Sequence, residues 1–374
     1  MKRVYMITGI GGHLGNTVAR ELLAAGETVR GFAQPNEDVT MLYGDAVSIV
    51  RGDVRDKNSM EPLFFGLKPE DEVYFIHCAG IVSVATKYDQ RVVDVNVRGT
   101  ENVVSLCKEH NVKKLVYISS VHALPELPHG NVIHEVEGFQ AEAVIGLYAK
   151  TKAAATQIVL DAARAGLDAT VIHPSGIIGP NDYGNGHLTQ MVISYLNGSL
   201  TACVEGGYDF VDVRDVADGI IAATSKGKKG ECYILSNRYI PVRELLNTLS
   251  RVTGGRTIKT VLPLWFAKFT APLAELYYKI RHESPLFTRY TLYTLTSNAR
   301  FTYEKARRDL GYKPRDINAT IRDTVAFLTK ERKNVFRKHG ELIPFLRWAK
   351  RNRNKTNPDA MHRGFFVLSR DWFT

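Results

Sequence analysis

The stretch Thr8-Gly9-Ile10-Gly11-Gly12-His13-Leu14-Gly15 constrains this chain more than any other. It follows an apolar run at residues 4–8 that reads as a strand, and it opens a helical pattern over 14–25. Glycines at 9, 12 and 15 let a chain turn tightly, approach a pyrophosphate and pack a helix against a sheet. The helix N-terminus then offers free N–H groups to phosphate oxygens. Glycine-rich turns are common, but one placed between a first strand and a first helix predicts a nucleotide site. Gly9, Gly12, His13, Leu14 and Gly15 are expected to border it. His13 reads as a surface residue of the turn rather than a metal ligand, and no metal site suggests itself.

The pattern continues with strands expected at 28–33, 47–52, 72–78, 114–119 and 169–173. Helices are expected through Asn96 to about His110 and over 143–165. The strand runs are almost continuously apolar, as in a parallel sheet with both faces covered. The predicted fold class is α/β: a Rossmann-type doubly wound parallel sheet with a smaller, mostly helical C-terminal substrate domain. After Pro174 the rhythm breaks into Gly- and Asn-rich loops, and a short strand at 232–235 is expected to rejoin the sheet. The domain boundaries expected are 1–174 for the nucleotide-binding part, with 205–238 returning to it, and 175–330 for the substrate-binding part. A basic aromatic extension spans 331–374.

At the adenosine end, Asp53 closes the third strand in Arg51-Gly52-Asp53-Val54, placed to accept from an adenine amino group. Val54 is expected beside it, and Gln34 ends the second strand. His77-Cys78-Ala79-Gly80 ends the fourth, with Ala79 and Gly80 small enough to pass the cofactor. No Lys or Arg stands between Gly31 and Val50, where a 2′-phosphate would need a cation. The cofactor is NAD or NADP, and this favours NAD.

The catalytic candidates are Tyr148 and Lys152, four apart on one helix face in Tyr148-Ala149-Lys150-Thr151-Lys152. A phenol with a pKa near 10 is a poor acid or base at pH 7, and a neighbouring ammonium favours phenolate. Tyr148 could then exchange a proton with a carbonyl or alcohol during hydride transfer, and Lys152 could reach the nicotinamide ribose. The strand 114–119 leads into Ser119-Ser120 at the carboxyl edge of the sheet, where Ser120 could hold the substrate oxygen.

Composition adds limits. No run of 18 apolar residues occurs, and the N-terminal apolar run is too short for a signal peptide, so a cytoplasmic protein is expected. Cys78, Cys107, Cys203 and Cys232 lack C-x-x-C spacing and read as buried free thiols. Residues 331–374 hold eleven Lys/Arg against four Asp/Glu, so about +7 of the net +10 sits in the extension. A nucleic-acid binder would carry that charge on its folded domain, so none is expected.

Together these motifs resemble the extended short-chain dehydrogenase/reductases, the NAD-dependent epimerase/dehydratase family, over roughly residues 3–330. Further points of resemblance are Asn96 in Asn96-Val97-Arg98-Gly99-Thr100, the run from His173-Pro174 through Gly176-Ile177 to Pro180, and Phe210-Val211-Asp212-Val213-Arg214-Asp215. The resemblance implies that Ser120 orients the substrate and that Asn96, Pro174, Gly176 and Ile177 border the cofactor. It also implies a homodimer built on the long helices near 86–109 and 143–165.

Tyr208 stands where nucleotide-sugar epimerases carry an arginine for diphosphate, and Val121-His122 stands where sugar dehydratases carry an Asp-Glu pair. The C-terminal half is similar to 3β-hydroxysteroid dehydrogenase and dihydroflavonol reductase relatives. The expected function is an NAD(P)-dependent oxidoreductase acting on a secondary alcohol or ketone of a bulky apolar small molecule. The alternatives are a nucleotide-sugar epimerase, holding diphosphate with Arg214 or Arg289, and a redox-sensing nucleotide binder without turnover. The aromatic stretch around Trp265 reads as a pocket lining, a peripheral membrane contact or ordinary packing of a small helical domain. The tail with Trp348, Phe365, Phe366, Trp372 and Phe373 reads as an anionic-lipid contact, a solvated appendage or a dimer-stabilising extension.

Overall fold

The computed structural model describes residues 1–84, 88–270 and 288–339. The Pro285–Phe287 segment, the stretch from 271 to 280 and the aromatic residues of the tail lie outside the described residues. The chain forms two compact units, Met1–Phe327 and Leu328–Thr374, and every site residue discussed below belongs to the first.

Seven strands form the main sheet in the order β10-β6-β5-β4-β1-β2-β3. They are β1 (Arg3–Thr8), β2 (Thr28–Ala33), β3 (Ser48–Arg51), β4 (Glu72–His77), β5 (Lys114–Ile118), β6 (Ala169–Pro174) and β10 (Cys232–Leu235). All neighbours run parallel, with Val4 opposite Thr28 on one side and Arg3 opposite Glu72 on the other. The strands are Val/Ile-rich and buried because helices cover both faces. Helix His13–Ala24 and helix Val213–Lys226 cover one face; Val18, Leu22, Val216 and Ile220 join Ile7, Ile76 and Val116 in one core. Chain order reverses between β1 and β4, which opens a crevice at their carboxyl ends. Residues 232–235 rejoin the sheet beside β6 as expected.

The smaller part carries more strand than its sequence suggests. β7 (Gly176–Ile178), β9 (Gly207–Asp212) and β11 (Arg238–Pro241) make a second sheet in the order β11-β9-β7, and β8 (Ala202–Val204) pairs with β12 (Thr260–Leu262). Residues 264–270 are helical, and Ala267 packs on Val204 and Leu292. Trp265 and Phe269 point away from that contact, at 71% and 74% exposure, so neither lines a described pocket. No described helix is long and apolar enough to cross a membrane.

Candidate active site

The glycine turn leaves β1 through Gly9 at φ +67°, and Gly12 N–H donates to Gly9 O at 3.0 Å. Gly12 caps helix His13–Ala24 with no side-chain acceptor, so the first-turn N–H groups are open to a ligand. Gly15 packs so closely that a Cβ there would stand 2.2 Å from Gly9 O. Gly9, Gly12, His13, Leu14 and Gly15 all line one cleft of about 400 Å³. His13 is a correction to the surface reading: it is half-buried, its Nε2 lies 2.9 Å from Pro180 O, and burial lowers its pKa. It ties the turn to the loop after β7.

The opposite wall is held by side chains that the sequence reading noted only as a pattern. Thr8 Oγ1 lies 2.7 Å from His77 Nδ1 and accepts from Ala79 N–H at 3.2 Å, which locks the ends of β1 and β4 together. Asn96 is buried within a π turn, Asp94–Arg98, that interrupts the expected continuous helix. Its Oδ1 accepts from Ile81 N–H at 2.8 Å, and its Nδ2 donates to Ile81 O and Thr151 Oγ1, both at 3.0 Å. Asn96 and Ala79 therefore support the cleft, while Gly80 lines it directly.

Ser120, Tyr148 and Lys152 meet in this cleft, all buried. The helix carrying the last two begins at Leu147, not near 143: residues 141–143 form a separate 3-10 turn, and Gly146 at φ +99° breaks the run. Lys152 Nζ donates to Ile118 O at 2.7 Å and stands 5.1 Å above the Tyr117 ring. Among the described residues no carboxylate pairs with it, and burial pushes its ammonium down to about 8. Burial pushes the Tyr148 phenol up to about 12, opposed by a hydrogen bond with Ser120. Pro174, Gly176 and Ile177 line the same cleft.

The cleft also holds residues that sequence reasoning missed, Val84, His187, Leu188 and Tyr290, beside His122 and Tyr208, which it noted only as departures from the sugar-nucleotide enzymes. His122 stacks on Tyr208 with ring centroids 5.5 Å apart, and lies 5.9 Å from Tyr148 edge-on and 6.0 Å from Tyr290. Beyond this cluster opens a further pocket of about 220 Å³, walled by Leu188, Met191, Leu200, Phe210, Leu246 and Leu295. These residues come from four separate segments with no shared motif, so no local spacing announces them.

Gln34, Asp53 and Val54, expected at the adenosine end, lie outside that cleft lining. Asp53 accepts from Arg55 through both carboxylate oxygens, and this guanidinium lowers its pKa. No Lys or Arg stands between Gly31 and Val50 in the sequence, but folding brings the Arg51 guanidinium and the Glu37 carboxylate to the end of β2. The Gln34–Glu37 turn folds back so that Glu37 Oε2 accepts from Gln34 N–H at 3.2 Å and Oε1 lies 2.0 Å from where a Gly11 Cβ would stand. Arg51, the last residue of β3, donates to the carbonyls of Gln34, Pro35 and Glu37.

The model of the NAD dependent epimerase/dehydratase family matches residues 5–236, more than half of the chain. The chain belongs to that family. It is 31% identical over 328 residues to Sterol demethylase protein B of Methylococcus capsulatus, across 86% of this chain and 97% of that protein. It is 29% identical over 327 residues to a 2-alkyl-3-oxoalkanoate reductase of Stenotrophomonas maltophilia, across 83% and 94%. The crystal structure of gox2253 matches with a TM-score of 0.74 at 30% identity, over 91% of this chain and 99% of that one. As a member of this NAD-dependent epimerase/dehydratase family, the protein is an oxidoreductase of the extended short-chain dehydrogenase/reductase type.

Two departures from the family's sugar-nucleotide enzymes gain a physical form. Tyr208, at the diphosphate-gripping place, is stacked on His122. Arg214, the alternative grip, is held by Asp212 and Asp323 at 2.7 and 2.8 Å, so its fork is occupied.

Proposed function

We propose that this enzyme interconverts a secondary alcohol and a ketone on an apolar substrate, with Tyr148 as general acid/base and NAD as its coenzyme. The observation that carries the reading is the buried Ser120–Tyr148–Lys152 group in a cleft that continues into an apolar pocket. The uncapped helix N-terminus at Gly12, the close Gly9–Gly15 packing and the unpaired Lys152 ammonium suit a dinucleotide's pyrophosphate and ribose. The bound coenzyme supplies or accepts the hydride. In reduction, Tyr148 Oη gives its proton to the developing alkoxide; in oxidation, it takes that proton back. Lys152 favours the phenolate electrostatically, and Ser120 Oγ donates to the substrate oxygen and fixes its orientation.

The Glu37 carboxylate beside Gly11 supports NAD, since it can accept from a ribose diol and repels a 2′-phosphate. Glu37→Gln is expected to lower the preference for NAD over NADP about tenfold in kcat/KM. An unchanged ratio removes Glu37 from coenzyme choice. The apolar pocket agrees with the sterol and alkyl-oxoalkanoate named for the two relatives. The test is coenzyme absorbance with hydroxysteroids, aryl ketones and UDP-sugars in turn. Net consumption with a ring ketone or alcohol supports the reading. UDP-sugar interconversion without net consumption overturns it.

A further inference from the structure

The three side chains His122, Tyr208 and Tyr290 carry more hydrogen-bond donors than the cluster can use. Tyr208 Oη lies 3.1 Å from His122 Nε2, and Tyr290 Oη lies 3.4 Å from His122 Nδ1. Both phenols are buried, and among the described residues neither has another hydrogen-bond partner. A neutral imidazole has one N–H and one lone pair. One phenol must therefore donate to the lone pair, and the other must accept from the N–H. That second phenol keeps its own O–H with nothing in the cluster to receive it. Protonating the imidazole only adds a spare donor, because both phenols would then accept. The surplus does not depend on the charge of His122.

A buried hydroxyl without an acceptor is costly, so a site built this way is suited to receive an acceptor from outside. All three side chains line the cleft, and the His122 ring lies beside Tyr148. His122 and Tyr208 also line the apolar pocket. Among the described cleft-lining residues no arginine is present, and Lys152 is held by Ile118 O. A carboxylate seated on the phenol pair would lack the cation that burial demands, whereas an uncharged oxygen needs only the one donor.

We propose that the His122–Tyr208–Tyr290 cluster is a second polar anchor, which donates one hydrogen bond to an uncharged oxygen of the substrate close to the carbon that Tyr148 serves. The substrate is then an apolar molecule with two neighbouring oxygen functions, such as a diketone or hydroxyketone. The inference rests on the alcohol/ketone reading of the same cleft and narrows its substrate class.

The test compares 2,2-dimethylcyclohexane-1,3-dione with 2,2-dimethylcyclohexanone, two uncharged probes that differ by one carbonyl. Dissociation constants are measured by calorimetry on the full chain with NADH present, and coenzyme oxidation is followed in parallel. The dione is expected to bind roughly tenfold tighter, the value of one added hydrogen bond. In Tyr208→Phe or Tyr290→Phe, whichever removes the O–H that meets the substrate oxygen, that ratio falls towards one. Circular dichroism of both variants checks folding, and the more conservative His122→Gln, which keeps a donor and an acceptor, should retain part of the ratio. Equal affinity of the two probes, no binding by either, or an unchanged ratio in both Phe variants overturns the anchor. Selective dione binding without coenzyme oxidation leaves the anchor standing and counts against the dehydrogenase reading instead.

Discussion

Lys152 sits buried with a carbonyl as its hydrogen-bond partner, and its two roles pull in opposite directions. In the proposed mechanism its charge serves Tyr148, but it is costly to the apo fold. Lys152→Met is therefore expected to lower kcat by about 100-fold or more while raising apo stability by about 1–3 kcal/mol. Denaturant titration and steady-state rates read the two effects separately; a loss of both would place Lys152 among purely structural residues. The pH dependence follows from the same shift. Between about 8 and the ordinary lysine value the unfolded chain keeps a proton that the folded chain has released. Stability should rise with pH across that window in the native protein, and this contribution should be missing in the Met variant. Tyr148, Lys152 and Ser120 were legible because their chemistry depends on a short helix spacing and on a strand end. Glu37 and His122 were not. Glu37 reaches Gly11 only after the 34–37 turn folds back, and His122 gains meaning from Tyr208 and Tyr290, 86 and 168 residues away.

At the level of elements, the six main-sheet strands after β1 were readable because a sheet buried on both faces leaves nearly unbroken apolar runs. The irregular elements were not. The π turn at Asp94–Arg98 keeps a helical pattern of residues while placing Asn96 against the Gly80–Ile81 wall, and nothing in the local spacing records the extra residue. The strands of the second sheet are short, three to six residues, and their pairing joins segments far apart in the chain. Asn96→Ala leaves Ile81 N–H without its acceptor, so a loss of roughly 1–3 kcal/mol is expected. Coenzyme affinity should fall with it, because Gly80 precedes the freed residue. Chemical denaturation and NADH fluorescence titration check both, and unchanged values would remove Asn96 from the support of the cleft.

Across the whole molecule, burial holds His77, His122 and His173 at about 3, 4 and 4, well below the ordinary histidine range. On unfolding each takes up a proton at any pH between those values and about 6.5. Their contribution to stability is thus full near neutrality and shrinks as pH falls from 6.5 towards 4. Asp209, pushed by burial to about 6, works the other way, since the folded state holds its proton where the unfolded state does not. Three histidines outweigh one carboxyl, so urea midpoints should fall steadily from pH 7 to pH 5, with net proton uptake on unfolding. A midpoint that is flat or rises over that range would mean that these histidines are not held neutral.

The central claim is that Tyr148 moves the proton in an alcohol/ketone exchange inside this cleft. It is tested most directly by single-turnover absorbance at the nicotinamide band, with enzyme in excess over NADH and a saturating ring ketone. In the native protein the absorbance should be lost in one exponential phase. In Tyr148→Phe, with NADH binding intact, that phase should slow by about 100-fold or more. Equal rates in the two proteins would contradict the assignment, and the proton would have to come from another group.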